Sequence, residues 1–401
     1  MNLSDVIEAA VYKELVLVDL PARGSNQHEI NGVKPLRDFF GTSDTTRGRI
    51  VWHYLADGQD PVQQVSEFTF YDARLSHPTR TEWRLYYVGD FLHLAEEGDV
   101  LVLIRTKNRS PEVHGLVLQK GSSWLRSVEQ LFGVTSLNPV NFELFSQESL
   151  TGTELGLLGQ TILEELGVED ILIPATDEDI RLVSARFDGT FPSTKQMSEF
   201  AREQVRGADL ANPDDTLVRW LQREEQLFRA LERLIVEDQV RQGFESVDQF
   251  ISFSLSVQNR RKSRMGYALQ NNLAALFDKN GIRYEAQART EGKNKPDFLF
   301  PSATAYHDEI FDSALLVMLG AKSTLKERWR QVLTEANRIP NKHLCTLDTA
   351  VSRDQTDEIA GHNLRLVIPL PFHQTYTVEQ RGHIWSLGTF IEFVRGTQVH
   401  L

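Results

Sequence analysis

Three residues in the C-terminal third of the chain have the types and order that phosphodiester hydrolysis needs. Asp297 heads a short apolar run after Pro296, in KPDFLFPS (295–302). Lys322 ends the next apolar run, 25 positions later, in LLVMLGAKSTLKERWRQVLTEANR (315–338), and Glu335 follows 13 positions on. An acid at one strand end and a lysine at its neighbour's end can converge on one point, and a carboxylate from a packing helix can complete the cluster. Carboxylates hold Mg2+, which bridges the scissile phosphate and lowers the pKa of the attacking water. An ammonium beside them stabilises phosphate charge or orients the nucleophile. Spacing alone leaves the matter open, because a solvated Asp, a strand-end Lys and a surface Glu in unrelated ion pairs have the same pattern.

The stretch 325–338 is expected to be an amphipathic helix. At about 100° per residue, Leu325, Trp329, Val332, Leu333, Ala336 and Ile339 form its buried stripe. Arg328 and Glu335 share one flank, Lys326 and Arg330 the other. Lys326, Glu327 and Arg328 stand at its N-terminal end. Helix N-termini attract phosphate, and Arg or Lys beside Glu matches guanine and cytosine edges in the major groove. An exposed charged helix with local ion pairs is the plain alternative.

The elements that must position these residues are predicted as follows. Residues 1–135 form a mostly β domain, with strands at 11–20, 48–55, 66–71, 82–88 and 99–105 and a short helix at 33–41 ending at Gly41. Short aromatic and β-branched runs between Gly, Pro, Asp and Ser clusters favour a small barrel or sandwich. Residues 136–211 are an acidic connector with helical pieces. A catalytic domain at 212–401 opens with one long helix from Pro213 to Gly243, the asymmetry expected of helix ends. Helices near 246–256, 264–278, 325–338 and 386–395 then alternate with strands at 282–287, 296–300, 314–322, 343–347 and 363–369, which argues for an α/β layer fold.

Composition bounds the function. The chain has 401 residues, 41% of them hydrophobic, with 22 Phe, 9 Tyr and 6 Trp, and a mean hydropathy of −0.33. That suits a soluble protein of two or three domains and excludes general disorder. No apolar run approaches the length of a membrane span. The N-terminal stretch mixes acids with apolar residues and is not expected to be a signal peptide. A lone Cys345 makes no internal disulfide, so a cytoplasmic location is expected. The net charge of −13 looks hostile to nucleic acid, yet residues 141–180 carry ten acids and no Lys or Arg, which leaves the rest of the chain near balance. Arg260, Arg261, Lys262 and Arg264 cluster as candidate phosphate contacts; a solvated basic turn is the alternative.

The stretches SVDQFISFSLSVQNRRKSRMG (246–266), RTEGKNKPDFLFPSATAYHD (289–308) and AKSTLKERWRQVLTEANRI (321–339) resemble the catalytic domain of the EcoRII restriction endonucleases, within the PD-(D/E)xK nuclease superfamily. The resemblance runs from about 212 to 398. It implies a two-domain α+β protein whose C-terminal α/β domain has the restriction-endonuclease-like fold. It further implies Mg2+-dependent cleavage of double-stranded DNA at short sites containing CC and GG, such as CCWGG, by a homodimer with one active site per strand. Carried over by position, Asp297 and Glu335 are metal ligands, Lys322 is the catalytic lysine, and Lys326, Glu327 and Arg328 read the base pairs. The superfamily usually places its second acid two residues before the lysine. Here that position is Gly320, and the EcoRII-like branch supplies the acid from the following helix. Where the preceding helix often carries an acid, this chain has Gln270. Some members of the branch flip a central base out of the stack; Trp220 and Arg223 are weak candidates to contact it.

GSNQHEINGVKPLRDFF (24–40) and FYDARLSHPTRTEWRLYY (70–87) resemble, less strongly, the EcoRII N-terminal effector-binding domain, a β pseudobarrel. That likeness implies a DNA-facing groove lined by Arg23, Asn26, His28, Arg74, Arg80, Trp83 and Arg84, and regulation of cleavage by a DNA copy bound there. Two alternatives accompany this expectation. One is a nuclease whose N-terminal domain reads a modified base, and the other is a DNA-binding regulator with an inactive nuclease fold.

Overall fold

A computed structural model describes all residues except 1, 22–27, 108–111, 138, 140, 146, 153–154, 167–174, 326–327 and 400–401. The chain divides into two compact units, Met1–Leu172 with Thr349–Ser352, and Ile173–Asp348 with Arg353–Leu401. Both mix helix and strand. Among the described residues no helix is long and apolar enough to cross a membrane.

The first unit is built on strands β1 (Ile7–Glu14), β2 (Glu29–Asn31), β3 (Thr46–Leu55), β4 (Val62–Asp72), β5 (Trp83–Tyr87), β6 (Val100–Thr106), β7 (Glu112–Leu118) and β8 (Glu143–Leu144), with helices α1 (Lys34–Phe40), α2 (Ser123–Phe132), α3 (Gln147–Gly152) and α4 (Leu157–Glu165). The strands form one curled sheet in the order β2-β5-β4-β3-β7-β6-β1-β8. Neighbours are antiparallel except β3 and β7, which run parallel. Strand side chains alternate between faces, and β6 shows the consequence. Val100, Val102 and Ile104 enter a core shared with α2 and α4, while Leu101 and Leu103 enter a second core with Trp52, Phe68 and Phe70.

The second unit begins with α5 (Asp177–Phe187), α6 (Thr194–Gln204), α7 (Pro213–Gln242) and α8 (Val247–Lys279). Val183, Met197, Phe200, Leu227 and Leu231 bind α5, α6 and α7 into one apolar cluster. The long helix α7 starts where the sequence predicts. Asn212 caps it by accepting from the Asp215 N–H at 3.2 Å, Pro213 fills its first turn, and Gly243 (φ +80) ends it. The charged run 259–264 reads as a break between two helices, but α8 passes through it unbroken. Arg261 grips Glu232 through Nε at 2.9 and 2.8 Å, and Arg264 pairs with Glu225, both acids lying on α7. Ion pairing to α7 thus holds this run in the helix, with Arg264 buried and Arg261 still exposed.

Beyond α8 come β9 (Glu285–Ala286), β10 (Phe298–Phe300), α9 (Ala303–His307), β11 (Val317–Lys322), α10 (Trp329–Val332), β12 (Lys342–Thr346), α11 (Arg353–Gly361), β13 (Leu364–Val367), α12 (Val378–Arg381), β14 (Ile384–Trp385) and α13 (Leu387–Gln398). The six strands form a sheet in the order β14-β13-β12-β11-β10-β9. The β9–β10 and β10–β11 pairs are antiparallel and the remaining pairs parallel. Phe277 of α8 packs edge-on against Phe298 and Phe300 of β10, with ring centroids 5.2 and 5.3 Å apart. Gln270 lies seven residues, or two turns, before Phe277 on the same face of α8.

The helix expected over 325–338 is present only as the single turn α10. Ala336 adopts φ +49, in the left-handed region where right-handed helices stop. Most of the stripe survives: Leu325, Trp329, Val332, Ala336 and Ile339 are buried, while Leu333 is half-buried.

One buried acid ties the start of α7 to the far end of this unit. Asp214, 5% exposed, accepts from the N–H groups of Leu370, Leu387 and Gly388 at 2.9, 2.8 and 2.8 Å. Asp214→Ala leaves three main-chain donors without their partner, that of Leu387 fully buried, at a cost on the order of 3 kcal/mol. Calorimetry should show a melting temperature roughly 10 °C lower; a shift within error would mean that water replaces the carboxylate freely.

Candidate active site

The register of β10 against β11 sets the centre of the site. Phe298 pairs with Leu319, so Asp297, one residue before β10, comes beside the last turn of β11. Its carboxylate is 6% exposed, and a buried carboxylate needs donors on both oxygens. Oδ2 accepts from the Ala321 N–H at 2.7 Å and from the Lys322 ammonium at 3.0 Å. Oδ1 accepts from the side-chain amides of Gln270 and Gln287 at 2.9 and 2.8 Å. The structure therefore brings Asp297 and Lys322 into direct contact.

Glu335 belongs to the same cluster. It sits half-buried in the turn after α10, its N–H donating to the Val332 carbonyl at 3.2 Å. Burial, then the Asp297 charge, push its carboxyl up to about 7, opposed by Lys322 and Lys342. Two carboxylates that repel each other across a half-buried space, with a lysine alongside, form an arrangement that a cation relieves. The donor set is hard oxygen, and Mg2+ is held in proteins by one or two carboxylates plus water and phosphate. Asp297 and Glu335 fit that requirement. Among the described residues no cluster of three or more His, Cys, Asp or Glu side chains has the geometry of an all-protein metal site.

Packing explains why the second acid does not stand at position 320. Residues 320 and 322 share a face of β11, and a Cβ on Gly320 would lie 3.1 Å from Val332 and 3.2 Å from Leu344. That space belongs to the core beneath α10. The second carboxylate near Asp297 comes instead from Glu335, in the turn that follows α10.

Gln270 and Gln287 make the other half of the site. An acid at 270 would put a second carboxylate against Asp297, whereas the amide donates to it. Gln287 was not legible in the sequence. It adopts φ +52, rare for a residue with a side chain. This bend lets it bond Asp297 twice, its main-chain N–H reaching the Asp297 carbonyl at 3.1 Å and its amide reaching Oδ1. Nothing in YEAQAR announces a left-handed glutamine.

The remaining sequence candidates are placed as follows. Lys326 and Glu327 lie outside the described residues; Arg328 is exposed, its guanidinium donating to Thr324 Oγ1 at 3.1 Å. Arg260 lies 4.0 Å over the Phe191 ring and Arg264 4.4 Å over Phe228. Arg264 is only 5% exposed, so it serves the contact between α7 and α8 rather than an open surface. The side chain of Lys262 is outside the description. Trp220 is 1% exposed and belongs to the core, while Arg223 pairs with Asp179 at 2.7 Å. Outside the candidate set, Tyr306 is buried, its hydroxyl directed at Glu291.

In the first unit, Arg23 and Asn26 lie outside the described residues. Arg80 is exposed, and the loop 71–78 beside it lines an open cavity of about 460 Å³. Arg74 pairs with Glu82, and Arg84 with Glu82 and Glu29. Trp83 stacks on Phe70 with centroids 5.1 Å apart, and His28 meets the Tyr87 ring edge at 5.7 Å.

Comparison with known proteins agrees with the C-terminal motifs. Residues 228–391 match the family model described as "EcoRII C terminal". The Type II restriction enzyme EcoRII of Escherichia coli is 44% identical over 207 residues, 51% of this chain and 51% of that protein. The chain thus spans about half the length of the curated relative it matches. Among solved structures, metal-depleted Ecl18kI in complex with uncleaved, modified DNA aligns with a TM-score of 0.42 and 18% identity, over 55% of this chain and 83% of that one. Metal-depleted Ecl18kI in complex with uncleaved DNA aligns with a TM-score of 0.40 and 20% identity over the same shares. Residues 228–391 are thus similar to the EcoRII C-terminal domain, as their motifs led us to expect.

Restoring the commoner acid position should fail. In a Glu335→Ala background, Gly320→Asp forces a charge into space held by Val332 and Leu344, at a cost of about 1–3 kcal/mol for overpacking alone. The double variant should melt below Glu335→Ala in calorimetry; an unchanged melting temperature would show that position 320 is open.

Proposed function

We propose that this protein is a site-specific, type II restriction endonuclease that hydrolyses phosphodiester bonds in double-stranded DNA with Mg2+ as cofactor. The observation that carries this proposal is the ion pair of Asp297 with Lys322 at 3.0 Å, at the ends of neighbouring strands, with Glu335 electrostatically coupled to both. The family match of residues 228–391 supports it.

Asp297 and Glu335 would hold the ion, which when bound supplies positive charge at the scissile phosphate and lowers the pKa of an attacking water. The chain's own groups do the rest. Gln270, Gln287 and the Ala321 N–H orient the Asp297 carboxylate, and the ion would take the place of one side-chain donor on it. The Lys322 ammonium, held beside Asp297 Oδ2, is positioned to neutralise phosphate charge or to orient the nucleophile. Lys326, Glu327 and Arg328 read the bases of a CC/GG-containing site such as CCWGG, where Arg and Lys suit guanine and Glu suits cytosine.

Cutting both strands of a short symmetric site calls for two copies of the catalytic domain, which a homodimer supplies. The first unit serves as a second DNA-binding domain, through Arg23, Asn26, His28, Arg74, Arg80, Trp83 and Arg84, and DNA bound there regulates cleavage.

The test is incubation of plasmid DNA with Mg2+, comparing the native protein with Asp297→Ala and mapping the ends. Discrete fragments that vanish in the variant, with ends at one CC/GG-containing sequence, are expected. Cleavage of methylated DNA alone would favour a modification-dependent nuclease. Tight DNA binding without cleavage of either substrate would indicate a regulator with an inactive nuclease fold.

A further inference from the structure

One buried cation in the catalytic unit has no part in the mechanism above. Lys342 opens β12 and is 7% exposed. Burying an ammonium is costly unless its hydrogens find acceptors. Those of Lys342 find main-chain carbonyls, at Leu333 (3.0 Å), Glu335 and Ala336 (3.5 Å). An ammonium has three donors, and here all three point at the turn that carries Glu335.

That turn is irregular. It leaves α10 after Val332 and passes through Ala336 at φ +49. Asn294 holds it from one side through the Thr334 carbonyl at 2.7 Å. Glu291 holds it from another, through the Asn337 N–H at 3.1 Å. Lys342 is the cationic member of the set, and of these three side chains it is the one that bonds residue 335 itself. A carbonyl-rich turn end carries partial negative charge, so the ammonium and the turn satisfy each other.

We propose that Lys342 is a positioning residue, whose ammonium clamps the carbonyls of residues 333–336 and so sets the Glu335 carboxylate where it can share a divalent cation with Asp297. The role rests on Glu335 being a metal ligand, as the proposed function has it. The chemistry asks nothing of Lys342 at the reacting atoms, and its buried contacts leave it no donor for substrate.

The test is Mn2+ binding to the full chain without DNA, read from loss of the free-ion electron paramagnetic resonance signal; Mn2+ takes the same carboxylate ligands as Mg2+. Lys342→Met should weaken Mn2+ binding about tenfold, as loss of groups behind metal ligands commonly does. Lys342→Arg should recover most of that affinity, and Glu335→Gln should weaken binding at least as much as Lys342→Met. Circular dichroism at the assay temperature reports whether each variant is folded. A purely structural role predicts a lower melting temperature with unchanged Mn2+ affinity in the folded protein, which would overturn the proposal. If Glu335→Gln binds Mn2+ as the native chain does, the ligand assignment fails and the positioning role fails with it. Should Lys342→Met not fold, Lys342→Gln, which keeps part of the hydrogen bonding, gives the same comparison.

Discussion

A carboxylate with almost no exposed surface has to be surrounded by donors, and the four around Asp297 come from three separate stretches of chain. Gln270 reaches it from α8, Gln287 from the bend beside β9, the Ala321 N–H from inside β11, and Lys322 from the end of β11. Each oxygen accepts two hydrogen bonds. Any shift of α8 along β10, or of β10 against β11, breaks at least one of them. Phe277 against Phe298 and Phe300 guards the first register. The antiparallel pairing of Phe298 with Leu319 guards the second.

The same constraint governs where the second carboxylate can stand. Face alternation along β11 gives position 320 the side that bears Lys322, but Val332 and Leu344 close that side off. An acid there would exchange core packing for a buried charge. Placing it on the turn after α10 keeps the core dry and still brings the two carboxylates within each other's field. The consequence is a site whose geometry depends on an irregular turn, which is why so many groups converge on residues 333–338.

Much of this was legible in the sequence. Pro213 and Gly243 bracket a real helix, most of the apolar stripe from Leu325 to Ile339 is buried, and Asp297 meets Lys322 although 25 residues separate them. Apolar runs bounded by a Pro or a charge identify strand ends well, since register follows from which side chains must be buried. What was not legible depended on long-range partners. The run 259–264 looked like a turn because its partners, Glu225 and Glu232, lie on another helix. The helix over 325–338 looked continuous because periodicity reports burial, and burial persisted after Ala336 left helical geometry. Gln287 and Lys342 carried no signal, for their work is done by a backbone bend and by main-chain carbonyls, which side-chain patterns do not reveal.

The proposed function requires Asp297 and Glu335 to share one cation. The most direct measurement is anomalous diffraction from crystals of the full chain soaked in Mn2+. A single strong peak between the Asp297 and Glu335 carboxylates is predicted, with Lys322 alongside and Gln270 contributing no carboxylate. A peak elsewhere, or none at saturating Mn2+, would contradict the account.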